Sequence, residues 1–163
     1  MIRYGLVLLT ICRSIRALGT MKAVVQPTSL GALVTGYVDI PEVKARDVLI
    51  KVDYAALNRM DLLQAKGLYP LPPGTPDILG VEVSGTVVQF GTSCNSDLQV
   101  GDSVMALLLG GGYAEYAVAD ERTVIKLSAD LDKPRAASIP EAFMTAYQLL
   151  FWVGNLKRLI SIF

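Results

Sequence analysis

Tyr69, Asn58, Thr145 and Glu82 are the side chains whose type and placement could carry chemistry in a chain that contains no histidine. That absence excludes histidine-based triads, histidine general acid–base catalysis and histidine-ligated metals. Cys12 and Cys94 alone supply neither a disulfide framework nor a structural zinc site. Chemistry here falls to Tyr, Ser, Thr, Asn, the carboxylates or a bound cofactor. Tyr69 is the most suggestive by position, in a loop marked by Gly67, Pro70, Pro72, Pro73, Gly74 and Pro76, since loops on a rigid scaffold often line sites. Asn58 reads locally as a helix N-cap ahead of Met60, Leu62 and Leu63. Thr145 reads as a mid-helix surface residue, and Glu82 as one carboxylate that cannot make a site by itself. Gly110-Gly111-Gly112 is followed by neither Lys-Ser/Thr nor a helix, so it reads as a hairpin turn and not as a phosphate loop.

The elements that must position these residues are mostly strands. In the stretch Gly80 to Gly91, Val81, Val83, Gly85 and Val87 alternate with Glu82, Ser84, Thr86 and Val88, the period of a half-buried strand. Residues 22–26, 33–40, 46–57, 104–109, 113–118 and 123–127 read as further strands. Val48, Ile50 and Val52 form one face of the longest, with Lys51 and Asp53 opposite. Many short strands at this spacing predict a closed or partly open barrel, mainly β with short helices. Near Pro134 the pattern turns helical. Pro140 opens a longer helix in which Phe143, Ala146, Leu149 and Leu150 share a face that packs on the barrel, and Gly154-Asn155 stops it.

Composition bounds the function classes. Apolar residues make up 52% and charged residues 18%, a core-rich single domain with zero formal net charge and nothing that points to nucleic acid. Residues 1–20 read as a leader or a spurious extension. Their apolar run at residues 6–12 is far short of the ~20 residues that span a bilayer. Arg3, Arg13 and Arg16, with no acidic residue before Asp39, suit a mitochondrial presequence at least as well as a secretory one. The expected location is cytoplasmic or mitochondrial.

Asn58-Arg59-Met60-Asp61, Gly67-Leu68-Tyr69-Pro70, Pro72-Pro73-Gly74, Gly80-Val81-Glu82, Val100-Gly101-Asp102, Ile139-Pro140-Glu141-Ala142 and Thr145-Ala146 occur in that order. Together they resemble the zinc-free quinone oxidoreductase branch of the medium-chain dehydrogenase/reductases. The resemblance implies a GroES-like β-barrel over residues 21–153. In the zinc alcohol dehydrogenases of the same fold, a Cys and a His stand where this chain has Asn58 and Val81. Valine has no lone pair to donate and an amide is a weak zinc ligand, so no catalytic metal is expected. The resemblance further implies NADPH as cofactor, with Asn58 beside the nicotinamide, Tyr69 near the quinone and Thr145 against the nicotinamide ribose or carboxamide. A quinone or another conjugated carbonyl would accept hydride, and a Tyr hydroxyl or an Asn amide would stabilise the developing oxyanion.

Family members bind the cofactor on a following Rossmann domain, whose glycine-rich turn holds the pyrophosphate at a helix N-terminus. Such a turn is absent here, and residues 154–163 read as an off-pattern tail. The expectation is a truncated NADPH-dependent quinone oxidoreductase, inactive alone and self-associating through its C-terminal helix. The alternative is a non-enzymatic module that pairs with a full-length relative.

Overall fold

The computed structural model describes residues 19–26 and 32–157. The expectations for residues 1–18 and for the end of the tail at residues 158–163 lie outside them. In chain order the elements are β1 (Thr20–Val25), β2 (Val34–Asp39), β3 (Asp47–Ala55), α1 (Arg59–Ala65), β4 (Glu82–Phe90), β5 (Ser103–Leu107), β6 (Tyr116–Asp120), β7 (Val124–Lys126), α2 (Lys133–Ala136) and α3 (Met144–Tyr147). A π-helical turn, Ile139–Phe143, precedes α3, and a second, Gln148–Val153, follows it. No helix among the described residues is long and apolar enough to cross a membrane.

β1 and β2 form an antiparallel hairpin, and the remaining strands form a five-stranded antiparallel sheet in the order β6-β3-β4-β5-β7. β6 and β7 lie at opposite edges of that sheet, yet a single helical turn, Glu121–Thr123, connects them. In a flat sheet the edges would stand ~19 Å apart, four spacings of ~4.8 Å. The path from Asp120 to Val124 reaches only ~14 Å when fully extended. The sheet therefore curls until its edges approach. Two breaks of register between β3 and β4, at Leu49/Ile50 and Val52/Tyr54, supply bending. No ladder joins β6 to β7 among the described strands, so the expected barrel takes its open form. Its core is Val48, Ile50, Val83, Val87, Val104 and Ala106, all fully buried.

Three expectations are corrected. Gly110-Gly111-Gly112 is no hairpin turn, because β5 and β6 are not neighbours and the segment between them passes β4 and β3. It lies against the chain at residues 78–80, with the Gly111, Gly112 and Tyr113 amides donating to the carbonyls of Ile78, Gly80 and Leu79 at 2.7, 2.9 and 2.9 Å. A Cβ on Gly112 would meet the Gly80 carbonyl oxygen at 2.9 Å, so the close approach requires glycine there. Second, the polar face of β4 is not solvated: Glu82 and Ser84 are as buried as Val83. α2 covers that face, where Ser84 Oγ donates to the Lys133 carbonyl at 2.6 Å and Lys133 Nζ donates to Thr86 Oγ1 at 2.8 Å. Third, Phe143, Ala146, Leu149 and Leu150 do not pack on the sheet. All four are exposed, Phe143 at 65%. Every residue from 142 to 155 is exposed, so no face of this segment lies on the sheet, whatever its period.

Candidate functional site

Asn58 stands between β3 and α1 with extended backbone dihedrals (φ −119°, ψ 151°), as an N-cap requires. Its backbone N–H donates to Asp61 Oδ2 at 2.7 Å, so the third residue of the helix reaches back to hold the cap. Tyr113 OH donates to the same Asp61 oxygen at 2.6 Å. Asp61 is only 3% exposed, and it ties α1 to the segment that follows the three glycines. Burial, with the Asp61 carboxylate alongside, pushes the Tyr113 phenol well above its ordinary value.

Glu82, at the start of β4, is 1% exposed. Its two carboxylate oxygens accept from two different elements. Asn58 Nδ2 donates to Oε1 at 2.9 Å, and the Glu141 backbone N–H donates to Oε2 at 2.8 Å. One carboxylate on the central sheet thus joins the α1 cap to the π turn at Pro140. The Glu141 side chain lines a cleft of about 160 Å³ together with Tyr69, Val81, Gln64, Met60 and Leu108. Asn58 lines a separate cleft of about 300 Å³ with Leu33, Leu57, Arg59, Leu62 and Tyr113. Asn58 and Tyr69 are therefore linked through Glu82 and Glu141 and share no cleft. Thr145 is exposed on α3, four residues beyond Glu141.

Sequence reading set Glu82 aside as a lone carboxylate and gave no role to Asp61, Tyr113 or Glu141. The Asn-x-x-Asp spacing signals the reciprocal cap. The alternation of Glu82 with Val81 and Val83 marks two chemically different faces and carries no signal that the Glu82 face is covered. No local signal brings Tyr113 to Asp61.

The raised Tyr113 phenol fixes a pH dependence. A group whose folded value lies above its unfolded one adds stability that is fully present below the unfolded value, about 10 for tyrosine, and is lost as pH rises beyond it. The Tyr113→Phe variant lacks the hydroxyl and should be less stable at neutral pH. The gap should then narrow between roughly pH 9 and 11 as the unfolded wild type gains by ionising. Urea midpoints of both proteins across that range measure this, and a constant gap would contradict it.

The alcohol dehydrogenase GroES-like domain family matches residues 44–129, and the chain belongs to this family, in its quinone oxidoreductase-like medium-chain dehydrogenase/reductase branch. A spinach protein, the chloroplastic quinone-oxidoreductase homolog, is 38% identical over 125 residues, which cover 74% of this chain and 38% of that protein. The human synaptic vesicle membrane protein VAT-1 homolog-like protein superposes with a TM-score of 0.78 at 34% identity, over 85% of this chain and 45% of the other. A mycobacterial protein solved in complex with NADPH superposes at 0.75 and 30% identity, over 85% and 43% of the two chains. The chain thus spans less than half the length of these relatives.

Proposed function

We propose that this chain forms the substrate side of an NADPH-dependent oxidoreductase that reduces a quinone or another conjugated carbonyl without zinc. The observation that carries the reading is the Tyr69 cleft, apolar apart from Gln64, Tyr69 and Glu141. Apolar walls with a few convergent polar groups suit a flat conjugated ring. In this reading the Tyr69 hydroxyl donates to the carbonyl oxygen on which negative charge develops. The zinc positions do not fit a metal. Val81 has no donor atom, and both oxygens of the neighbouring Glu82 are already engaged.

The fit to NADPH is partial. Asn58 offers an amide to the nicotinamide end, and Thr145 offers an exposed hydroxyl, but among the described residues no glycine-rich turn opens a helix to hold the pyrophosphate. When bound, NADPH supplies the hydride. This chain's residues orient the acceptor ring, exclude water from it and hold a proton at Tyr69 Oη. We place the protein in the cytoplasm or mitochondrion, with residues 21–153 as the working domain.

A second reading, a non-enzymatic module that pairs through its C-terminal helix, is favoured by one observation. Phe143, Tyr147, Phe151 and Trp152 are all exposed, Trp152 at 71%, with Tyr147 in ring contact with both Phe151 and Trp152. A patch of this kind drives association.

NMR titration of the full chain with a 1,4-naphthoquinone and with NADPH tests the first reading. The quinone should shift the amides of Tyr69, Val81 and Leu108, and Tyr69→Phe should weaken its binding by about two- to tenfold. NADPH should bind no tighter than roughly millimolar, about −4 kcal/mol. Quinone shifts confined to the Phe143–Trp152 face, with concentration-dependent sedimentation, would transfer the case to the second reading.

A further inference from the structure

We infer that the cleft beside Asp61 is a second binding site, separate from the Tyr69 cleft, for a small apolar molecule that carries a primary ammonium group. Three carboxylates are buried among the described residues: Asp61, Glu82 and Glu121. Glu82 has a donor on each oxygen, and Glu121 has the Arg46 guanidinium at 2.7 Å. Asp61 has neither arrangement. Its Oδ2 accepts from both the Asn58 N–H and the Tyr113 hydroxyl, while its Oδ1 is buried without a hydrogen-bond partner. No ion pair among the described residues reaches it. A carboxylate offers acceptors only, and its buried charge is costly until a counter-charge meets it.

Asp61 lines the cleft of about 300 Å³ whose apolar walls are Leu33, Leu57, Leu62 and Leu79. Among the other polar groups there, the Tyr113 hydroxyl is spent on Asp61 itself and Asn58 Nδ2 on Glu82. A cleft of about 520 Å³ shares Leu33, Leu57 and Tyr113 with it, so the body of a ligand has apolar surface along which to extend. Apolar walls around one acceptor select an apolar molecule with a donating head. An ammonium group brings the N–H donors and the missing positive charge together. Arg59 is exposed, lines the same cleft and joins no carboxylate among the described residues. It acts on the ammonium as a like charge.

Benzylammonium and its uncharged counterpart, benzyl alcohol, are the probes, followed by NMR of the full chain at the Leu33, Leu57 and Leu62 amides. Benzylammonium should perturb these amides and bind about tenfold or more tightly than benzyl alcohol. In Asp61→Asn the amide oxygen takes the place of Oδ2 against its two donors, so an NH₂ stands where Oδ1 was. That variant should lose at least about tenfold in benzylammonium affinity. It should keep its response to benzyl alcohol, whose hydroxyl also accepts. Arg59→Gln changes a side chain at the surface and should tighten benzylammonium about twofold. Equal affinities for the two probes in the wild type, or benzylammonium binding unchanged in Asp61→Asn, would overturn the proposal. Binding seen only in Arg59→Gln would overturn it too, by showing that Arg59 and not a ligand answers Asp61. Should Asp61→Asn fail to fold, the two probes against the wild type and Arg59→Gln decide the matter.

Discussion

Gly85→Ala should cost at least about 3 kcal/mol of folding stability, at the upper end of what overpacking a core imposes. Gly85 sits in β4, with β3 on one side and β5 on the other, and it faces Val52 where the β3–β4 register breaks. A methyl group there would lie 2.1 Å from the Lys51 carbonyl oxygen and 2.7 Å from Ile50 Cγ2. The first is backbone in the central ladder, and it can withdraw only by stretching the β3–β4 hydrogen bonds. Because β4 is paired on both edges, relief on one side is strain on the other. Against a total stability of about 5–15 kcal/mol for a domain, such a loss leaves a large unfolded fraction at ambient temperature. Ser84→Ala on the same strand is the control. It removes one hydroxyl donor to Lys133 O and no space, and should cost about 1 kcal/mol. Urea unfolding of both variants measures the difference, and a Gly85→Ala protein no weaker than Ser84→Ala would refute the steric account.

The same strand shows what is legible in a sequence and what is not. The alternation of Val81, Val83, Gly85 and Val87 with Glu82, Ser84 and Thr86 identifies a strand and says that its two faces differ chemically. It does not say whether water or another element meets the polar face. Here the cover comes from α2 and the Ile139–Phe143 turn, about 50 residues further along the chain, and nothing local to β4 encodes them. Asn58 as a cap was legible because its partner Asp61 is three residues away. The link from Asn58 through Glu82 to Glu141 was not, because it depends on how three distant segments meet. Gly110-Gly111-Gly112 marks a place where backbone approaches backbone. Whether it closes a hairpin or crosses a sheet is decided by strand order, which composition does not carry. The helical period after Pro140 misled for a different reason: it picks out residues that could share a face, but every residue from 142 to 155 is exposed, and whether another element meets that face is not carried by the period.

Asp61→Ala should be nearly as damaging as Gly85→Ala, by an electrostatic route. Asp61 Oδ2 is the common acceptor for the Asn58 N–H and the Tyr113 hydroxyl, in a site 3% exposed. Without the carboxylate, Tyr113 can turn to the Ala56 carbonyl, already 3.2 Å from its oxygen. The Asn58 N–H has no such second acceptor among the described residues. A buried donor left without its charged partner costs up to about 3 kcal/mol, and the lost side-chain packing adds to it. Asp61→Asn separates the two contributions, because the amide oxygen can still accept from both donors while the charge is gone. The expected order of stability is wild type, then Asp61→Asn, then Asp61→Ala. Hydrogen exchange at the Asn58 amide provides the site-specific reading: protection should survive in Asp61→Asn and collapse in Asp61→Ala. With that amide released, the first turn of α1 loses its cap, and Asn58 Nδ2 can no longer be held against Glu82, so the damage spreads from the helix end to the candidate site. An Asp61→Ala protein whose Asn58 amide remains protected would show that α1 is held by packing alone and that the carboxylate hub is incidental.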